Sequence, residues 1–241
     1  MKVNILDSGV FPILRIENFL SDVDYQVVKK DVKSEVMKLQ ELKDSGTKND
    51  PLDDMSGRDY NRVYIDALYG KDRSKSETLM IIDKNLFSDE MLDIYNSIPE
   101  TSYRLIKDSV NHETEITIYG DESKYNWHND SLYSRIINFV LIIDLGMKFE
   151  GGHTHITNTE FDSIGERALY EGGLDLDADI DIEPKGNQLV MMPMWVTHRV
   201  TPIKMKSTKM IEGRITVNGH IGMKNIPWKR DEPISSDIWN Y

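Results

Sequence analysis

The alternation of apolar and polar residues predicts a chain made mainly of β-strands. Short runs rich in Val, Ile and Leu, separated by Gly, Pro, Asn and Asp, are typical of strands and turns. In the run at 114–119, Ile116 and Ile118 fall on one face and Tyr119 on the other. The run at 135–144 is almost wholly apolar, which indicates a strand buried on both faces, with Asn138 as its interior polar residue. Further strands are predicted at 11–16, 61–66, 103–106, 188–192 and 213–218.

Two segments have helical periodicity, and each follows a serine, a residue that caps helix N-termini. The first follows Ser21 and extends to about residue 42, and the second follows Ser88 and stops before Pro99. We expect the first helix to lie against a sheet. Its apolar positions recur at helical spacing: Val23, Val27, Val28, Val32 and Val36.

Two polar stretches, 43–60 and 67–78, are predicted loops, because they contain too few apolar residues to order themselves by burial. Long loops beside a rigid scaffold often recognise or enclose a substrate. These stretches could therefore act as lids, or they could be ordinary surface loops.

The length of 241 residues suits one sizeable core, so we expect a single domain over 1–241. Within it, residues 1–99 would support a core at 100–222, and residues 223–241 would form a tail whose aromatic side chains pack on the domain. Hydrophobic residues make up 39% of the chain, and no apolar run approaches the length of a membrane span. We expect a cytoplasmic protein with no membrane partner.

Charge and cysteine content restrict the chemistry further. The net charge of −12 disfavours a nucleic acid as partner, because a phosphate backbone attracts local Lys and Arg excess. Since the chain has no cysteine, a metal ion would have to be held by nitrogen and oxygen ligands.

Such ligands stand at His128 and Asp130, directly after a strand-like run. Residues two apart in an extended segment share a face, so both side chains could reach one ion. His198, where a second run ends, is the best candidate for a third ligand. Two histidines and one carboxylate occupy one face of an octahedron and leave open positions, which is typical of non-haem Fe(II) oxygenases.

The order of these motifs resembles the Fe(II)/2-oxoglutarate dioxygenase superfamily, and within it the prolyl 4-hydroxylase-like branch. The stretch at 119–130 resembles that branch's Tyr-Gly…Tyr-x-x-His-x-Asp motif, 149–156 its Gly-Gly strand, and 184–191 its Pro-x-x-Gly strand. The resemblance covers roughly residues 100–222. It implies a mainly β fold with flanking helices around a double-stranded β-helix, or jelly-roll, core.

The same resemblance implies the roles of the site residues. His128, Asp130 and His198 would bind Fe(II) and carry out catalysis, and molecular oxygen and 2-oxoglutarate would take the open positions. Arg214 would bind the far carboxylate of 2-oxoglutarate, since a guanidinium binds a carboxylate through paired donors. Three further residues are candidates for the cosubstrate pocket: Thr216, Tyr119 and Asn138. Asn138 could instead be a hydrogen-bonded core amide.

Other positions near this pocket are weaker candidates or departures from the family pattern. Tyr125 would lie nearer the substrate entrance, and Asn218 shares the face of Arg214. Ile142 stands where some members have a tyrosine on the far carboxylate, so Thr216 would have to compensate. His220 replaces a frequent aromatic, which bears on the choice of substrate.

Two features outside this pattern could also bind a cation. His153 and His155 are a rival pair of metal ligands, but because the family has apolar or acidic residues there, we expect them to line the pocket wall. Carboxylates also alternate along one predicted face and could bind Ca²⁺, although the glycine and the terminal Glu of a calcium loop are missing. We interpret these as a solvent-facing strand: Asp175, Asp177, Asp179, Asp181 and Glu183.

The resulting hypothesis is an oxygenase that hydroxylates an unactivated C–H bond, releasing succinate and CO₂ from 2-oxoglutarate, with ascorbate as a further candidate cofactor. The substrate would be a prolyl residue in a peptide or protein, by resemblance only. Alternatives are a hydroxylase of a free amino acid or other small molecule, a jelly-roll binding protein without catalysis, and a cupin-like metal enzyme that uses no 2-oxoglutarate. Arg214 argues against the last of these.

Overall fold

The structure is a computed structural model that describes residues 1–7, 12–45, 61–65, 73–99, 101, 104–107, 110–130, 135–157 and 176–222. Its strands in chain order are β1 (Lys2–Asp7), β2 (Ile13–Glu17), β3 (Asn61–Tyr64), β4 (Val110–Tyr119), β5 (Tyr125–His128), β6 (Arg135–Ile143), β7 (Glu150–Gly151), β8 (Thr154–Thr157), β9 (Ile180–Ile182), β10 (Gln188–Pro193), β11 (Thr197–Val200), β12 (Ile203–Lys204) and β13 (Arg214–Gly222).

The strands form two main antiparallel sheets. The larger has the order β1-β2-β10-β6-β13-β4-β3, and the smaller has the order β5-β11-β8-β9. Apolar side chains from both sheets, including Val190 and Met192 of the larger and Ile156 and Ile182 of the smaller, pack in one cluster. The sheets therefore face each other across an interior. Strands β7 and β12 pair separately.

Three helices within the described residues accompany the sheets: α1 (Asp22–Asp44), α2 (Glu77–Leu86) and α3 (Asp89–Asn96). Each is capped by the hydroxyl of the serine before it, at distances of 3.1–3.2 Å from the backbone N–H. Short 3₁₀ turns occur at Arg73–Lys75 and Met210–Glu212.

The helices cover the outer face of the larger sheet. Val28, Val32 and Val36 of α1 pack with Ile215 and Val217 of β13 in the largest apolar cluster of the described residues. This confirms the prediction that the first helix lies against a sheet. Val23 was wrongly placed on its apolar side, since it is 75% exposed and lies on the outer side of the first turn.

Two other sequence predictions were wrong. The loop at 67–78 contains a 3₁₀ turn from Arg73 and the start of α2 at Glu77, whose apolar residues Leu79, Ile82 and Leu86 are buried; residues 67–72 lie outside the described residues. The loop at 43–60 begins later than predicted, because α1 continues to Asp44. Residues 46–60 lie outside the described part of the chain, so their role as a lid stays a prediction.

The strand predicted at 103–106 is absent over the described residues 104–106. The side chain of Asn96 takes the place of a strand partner there: its Oδ1 accepts from the Leu105 N–H at 2.9 Å and its Nδ2 donates to the Leu105 carbonyl at 2.8 Å. Leu105 is buried among the helices. Its apolar character is thus explained by packing on α3 and not by a sheet.

No helix within the described residues is both long and apolar enough to cross a membrane.

Candidate metal centre

The interior between the sheets is polar along β13. Alternation directs Ile215, Val217 and Ile221 toward the helices. The other face of the strand looks into the jelly-roll interior and carries Arg214, Thr216, Asn218 and His220. The candidate pocket thus lies on the inner face of a strand whose outer face belongs to the core.

Three side chains meet at the centre of this interior. His198 of β11 stands directly opposite His128 of β5 in the sheet register. Asp130 follows β5, and its N–H donates to the Met194 carbonyl at 2.9 Å, which holds it beside both histidines. Ligand atoms of His128, Asp130 and His198 lie within 4.8 Å of one another. The structure therefore brings together the predicted triad.

The two imidazoles have the tautomer that a metal ion requires. His128 Nδ1 lies 2.7 Å from the Asn126 carbonyl, and His198 Nδ1 lies 3.0 Å from the Val196 carbonyl. A carbonyl only accepts hydrogen bonds, so each Nδ1 is the donor, and in the neutral form of each ring Nε2 is the nitrogen with a lone pair for a metal ion. Both Nε2 atoms face the Asp130 carboxylate, at 3.9 and 3.4 Å. This donor set fits a divalent ion held by two neutral imidazoles and one carboxylate.

Asn138 holds the third ligand from behind. Its Nδ2 donates to Asp130 Oδ2, and its Oδ1 lies 2.5 Å from His220 Nδ1. The two contacts account for both ends of a side chain that is only 3% exposed. Asn138 is therefore a hydrogen-bonded buried amide that also faces the site; a direct contact with the cosubstrate stays a prediction.

A carboxylate that sequence reasoning missed extends this network. Strand β4 has a β-bulge here, because Glu113 and Thr114 together oppose the single Gly219 of β13. Glu113 has a left-handed φ of 52°. Its carboxylate accepts from Arg135 and lies 3.8 Å from His220 Nε2. No pattern in the sequence indicated this bulge, because left-handed residues other than Gly carry no strong local signal.

Arg214 is buried in the interior without a carboxylate partner among the described residues. One Nη2–H donates to Thr154 Oγ1 at 3.0 Å, the guanidinium lies over the Tyr119 ring at 5.1 Å, and Nε has no hydrogen-bond partner. Burial lowers the pKa of Arg214, because desolvation disfavours its charged form. An anion with two oxygens would satisfy this guanidinium.

Aromatic rings connect the arginine to the metal centre. Tyr119 packs with Tyr125 in a buried cluster, and Tyr125 stacks on the His128 ring with centroids 3.5 Å apart. Tyr125 thus lies in the same buried cluster as Tyr119, and its place nearer the substrate entrance stays a prediction. Arg214 and the triad belong to one continuous interior.

The Gly-Gly pair explains how the backbone passes so close to Arg214. Gly152 has a φ of 67°, and a Cβ there would lie 3.1 Å from Arg214 Cδ. Gly151 has a φ of 79°, and a Cβ would lie 2.2 Å from the Pro202 carbonyl oxygen. Gly151 has no room for a side chain and Gly152 has little, and the pair brings β8 and its Thr154 up to the guanidinium.

Two other predicted residues share the face of Arg214, and both form hydrogen bonds with Thr117 of the neighbouring strand β4. The Thr216 hydroxyl bonds to the Thr117 hydroxyl, and Asn218 Nδ2 donates to Thr117 Oγ1 at 3.0 Å. Ile142 stands opposite Thr216 in the register. A role for Thr216 at the cosubstrate carboxylate remains a prediction.

The expectation for His153 and His155 was wrong. Thr154 and Ile156 of β8 point into the interior, so His155 and the preceding His153 lie on the outer face of the smaller sheet. They contact Asp181 of β9 there and do not line the pocket.

Comparison with protein-family models gives a match over the candidate site. The model described as the 2OG-Fe(II) oxygenase superfamily matches residues 114–222, which contain the triad and Arg214. The matched segment indicates a 2-oxoglutarate-dependent dioxygenase, and Fe(II) and 2-oxoglutarate are the cofactor and cosubstrate that this model implies. A comparison with curated protein sequences gave no match.

Several solved structures have a similar fold. A Pseudomonas putida prolyl-4-hydroxylase has a TM-score of 0.53 at 16% identity, covering 88% of this chain and 92% of that chain. AviO1 from Streptomyces viridochromogenes has 0.55 at 12%, covering 90% and 91%. HygX from Streptomyces hygroscopicus, solved with nickel and 2-oxoglutarate, has 0.52 at 12%, covering 88% and 83%. These likenesses confirm the predicted fold, mainly β with a double-stranded β-helix core.

Proposed function

We propose that this protein is an Fe(II)- and 2-oxoglutarate-dependent hydroxylase. In the proposal, His128, Asp130 and His198 hold Fe(II), and Arg214 binds the far carboxylate of 2-oxoglutarate. One observation carries it: a triad suited to a metal ion and a buried guanidinium share the same interior, and no carboxylate of the described residues pairs with that guanidinium. When bound, the iron would supply the activation of oxygen that hydroxylation of a C–H bond requires.

The protein's own residues would prepare this chemistry in three ways. The carbonyls of Asn126 and Val196 keep the imidazole lone pairs directed at the metal position. Asn138 fixes the Asp130 carboxylate, so that this ligand does not have to reorient. The buried Tyr119 and Tyr125 rings exclude water from the path between Arg214 and the triad.

Arg214 suits the cosubstrate because it contacts no carboxylate among the described residues. Burying a guanidinium without an anion costs free energy, and a bound carboxylate would offset that cost through two charge-assisted hydrogen bonds. Thr154 accepts from one Nη2–H and so orients the guanidinium.

The first test is succinate formation from 2-oxoglutarate under air, with and without Fe(II), for wild type and Arg214→Met. Methionine keeps much of the arginine's length but has no charge. We expect iron-dependent succinate that falls about 10- to 100-fold in the variant, as for loss of a charge-assisted hydrogen bond.

A binding measurement separates slow turnover from a wrong assignment. Calorimetry with Co(II) in place of Fe(II) should detect 2-oxoglutarate binding to wild type and weaker binding to Arg214→Met. Wild type that neither forms succinate nor binds 2-oxoglutarate would overturn the proposal and favour a jelly-roll binding protein.

For the substrate, we propose a prolyl residue in a peptide or protein. Two observations support this. The Pseudomonas putida protein with a similar fold is a prolyl-4-hydroxylase. In addition, Trp195 is 49% exposed and directly follows Met194, whose carbonyl accepts the hydrogen bond from the Asp130 N–H. An indole face beside the metal centre can stack on a pyrrolidine ring. Proline-rich peptides should therefore gain one oxygen atom by mass spectrometry, with ascorbate added to the assay. Oxygen transfer to free amino acids but to no peptide would favour the small-molecule alternative.

A further inference from the structure

We propose that His153, His155 and Asp181 form a second metal site, for a divalent transition ion such as Zn²⁺, on the outer face of the smaller sheet. Ligand atoms of the three side chains lie within 4.8 Å of one another. The site is separate from the candidate metal centre, because it lies on the opposite face of β8. The proposal is therefore independent of the proposed function.

The sheet itself assembles the three residues. His155 of β8 stands directly opposite Asp181 of β9 in the antiparallel register. His153 precedes His155 by two residues and shares its face. Asp181 Oδ1 lies 2.7 Å from His153 Nδ1 and 3.6 Å from His155 Nε2. The ligands thus come from two hydrogen-bonded strands, and no loop has to close for them to meet.

The donor set and its surroundings suit a borderline divalent ion. Two imidazoles and one carboxylate are common ligands of Zn²⁺, and the remaining position would be taken by water. The Asp181 side chain is 56% exposed, so an ion can reach it from solvent.

The alternating carboxylates of the sequence gain a partner here. Asp179, Asp181 and Glu183 alternate along β9 and its flanks, so they share one face. On the neighbouring strand that face carries the two histidines. Two cation-binding patterns that are each weak in the sequence therefore converge on one surface, and the added negative charge attracts a cation.

Arg199 competes with a metal ion for His155. Its Nε and Nη2 both lie 3.2 Å from His155 Nδ1, and its guanidinium lies 4.6 Å from the Trp127 ring centre. A guanidinium has only donors, so this Nδ1 accepts and the proton sits on Nε2. A metal ion bound through Nε2 requires that proton to move to Nδ1 and Arg199 to withdraw from it.

The test is the number of Co²⁺ ions bound per chain, measured by titration on protein free of any polyhistidine tag. We compare wild type, the outer variant His153→Ala/His155→Ala, and the inner variant Asp130→Ala/His198→Ala. Two ions are expected for wild type and one for each variant. Glu183→Gln keeps all three ligands and should still bind two, and thermal unfolding checks that the variants fold.

The stoichiometries distinguish failure of this proposal from failure of the proposed function. One ion in wild type that the outer variant keeps and the inner variant loses would overturn the second site. One ion that the inner variant keeps and the outer variant loses would support the second site and contradict the iron centre.

Competition by Arg199 gives a second, sharper test. Arg199→Met keeps an apolar stem over Trp127 but removes the guanidinium that bonds to His155. Adding Arg199→Met to the inner variant should therefore raise its affinity for Zn²⁺ about tenfold. Nitrogen NMR of the His155 ring should show the proton moving from Nε2 to Nδ1 as Zn²⁺ is added. An unchanged affinity together with an unchanged ring tautomer would overturn the assignment of His155 as a ligand.

Discussion

The two faces of β13 differ in the kind of side chain that they bury. Ile215 and Val217 on one face are fully buried and pack under the helices, whereas Arg214 and Thr216 on the other face are as deeply buried but polar. One face is buried because water is excluded from apolar side chains. The other is buried because the sheets enclose it, and Arg214 then carries a desolvated charge. Burial alone therefore does not separate the core from the site; the partners of each buried side chain do.

This difference predicts that substitutions on the two faces fail in different measurements. Substitutions on the inner face should weaken binding of the metal ion or 2-oxoglutarate, or slow turnover, with little change in the free energy of unfolding. Substitutions on the outer face should lower the free energy of unfolding, while the protein that remains folded still binds both.

The largest effect is expected for Asp130→Ala. The carboxylate is one of the three proposed ligands, and a bound metal supplies several kcal/mol of catalysis, so iron-dependent succinate formation should fall roughly 10³-fold or more. The midpoint of urea unfolding, measured without metal, should stay close to that of wild type. Turnover within a few-fold of wild type would remove Asp130 from the metal centre.

Ile215→Ala tests the opposite face at the adjacent residue. It leaves a cavity under the helices and should lower the free energy of unfolding by about 2–5 kcal/mol. Arg214→Met is the matched control, because it removes an unpaired buried charge and should leave stability equal or higher. Urea unfolding monitored by circular dichroism measures both. If Arg214→Met were the more destabilised of the two, the division between the faces would be wrong.

Six of the seven strands in the larger sheet, two helices and the three residues proposed as metal ligands could be predicted from the sequence because each has a local signal. Serine caps at Ser21 and Ser88 announce helices, and the spacing of His128, Asp130 and His198 along a recognisable motif order announces a site. The fold agrees with the predicted strands and helices. The structure also brings the three proposed ligands together, and their role in binding a metal ion stays a prediction.

What could not be predicted depends on contacts between distant segments. Leu105 looks like a strand residue until the Asn96 side chain supplies its hydrogen bonds. Glu113 reaches the site only because a bulge turns it inward. His153 and His155 were assigned to the wrong face, since family position does not give the phase of a strand, whereas the partner of Thr154 does.

Asn138→Ala should weaken metal binding about 10- to 100-fold, the usual effect of losing a residue that orients a ligand. Affinity for Co²⁺, measured by competition with a chelator, reports this without turnover. Asn218→Ala is the matched control on the same inner surface, because Asn218 bonds to Thr117 and not to a proposed ligand. Equal losses in both variants would mean that Asn138 acts through packing and not through Asp130.

The smallest effect is expected for Gly152→Ala, which tests how closely the backbone has to approach Arg214. The new Cβ would lie 3.1 Å from Arg214 Cδ, so the arginine side chain must shift. The alanine would also have to keep the left-handed φ of the glycine. The affinity for 2-oxoglutarate should fall, by less than the tenfold that corresponds to about 1.4 kcal/mol. Gly146→Ala separates backbone strain from contact, because Gly146 also has a positive φ, of 125°, but no atom within 4 Å of its Cβ position. In an Arg214→Met background the same Gly152 substitution should no longer change 2-oxoglutarate affinity, and a loss of unchanged size there would show that the glycine acts on the pocket by another route.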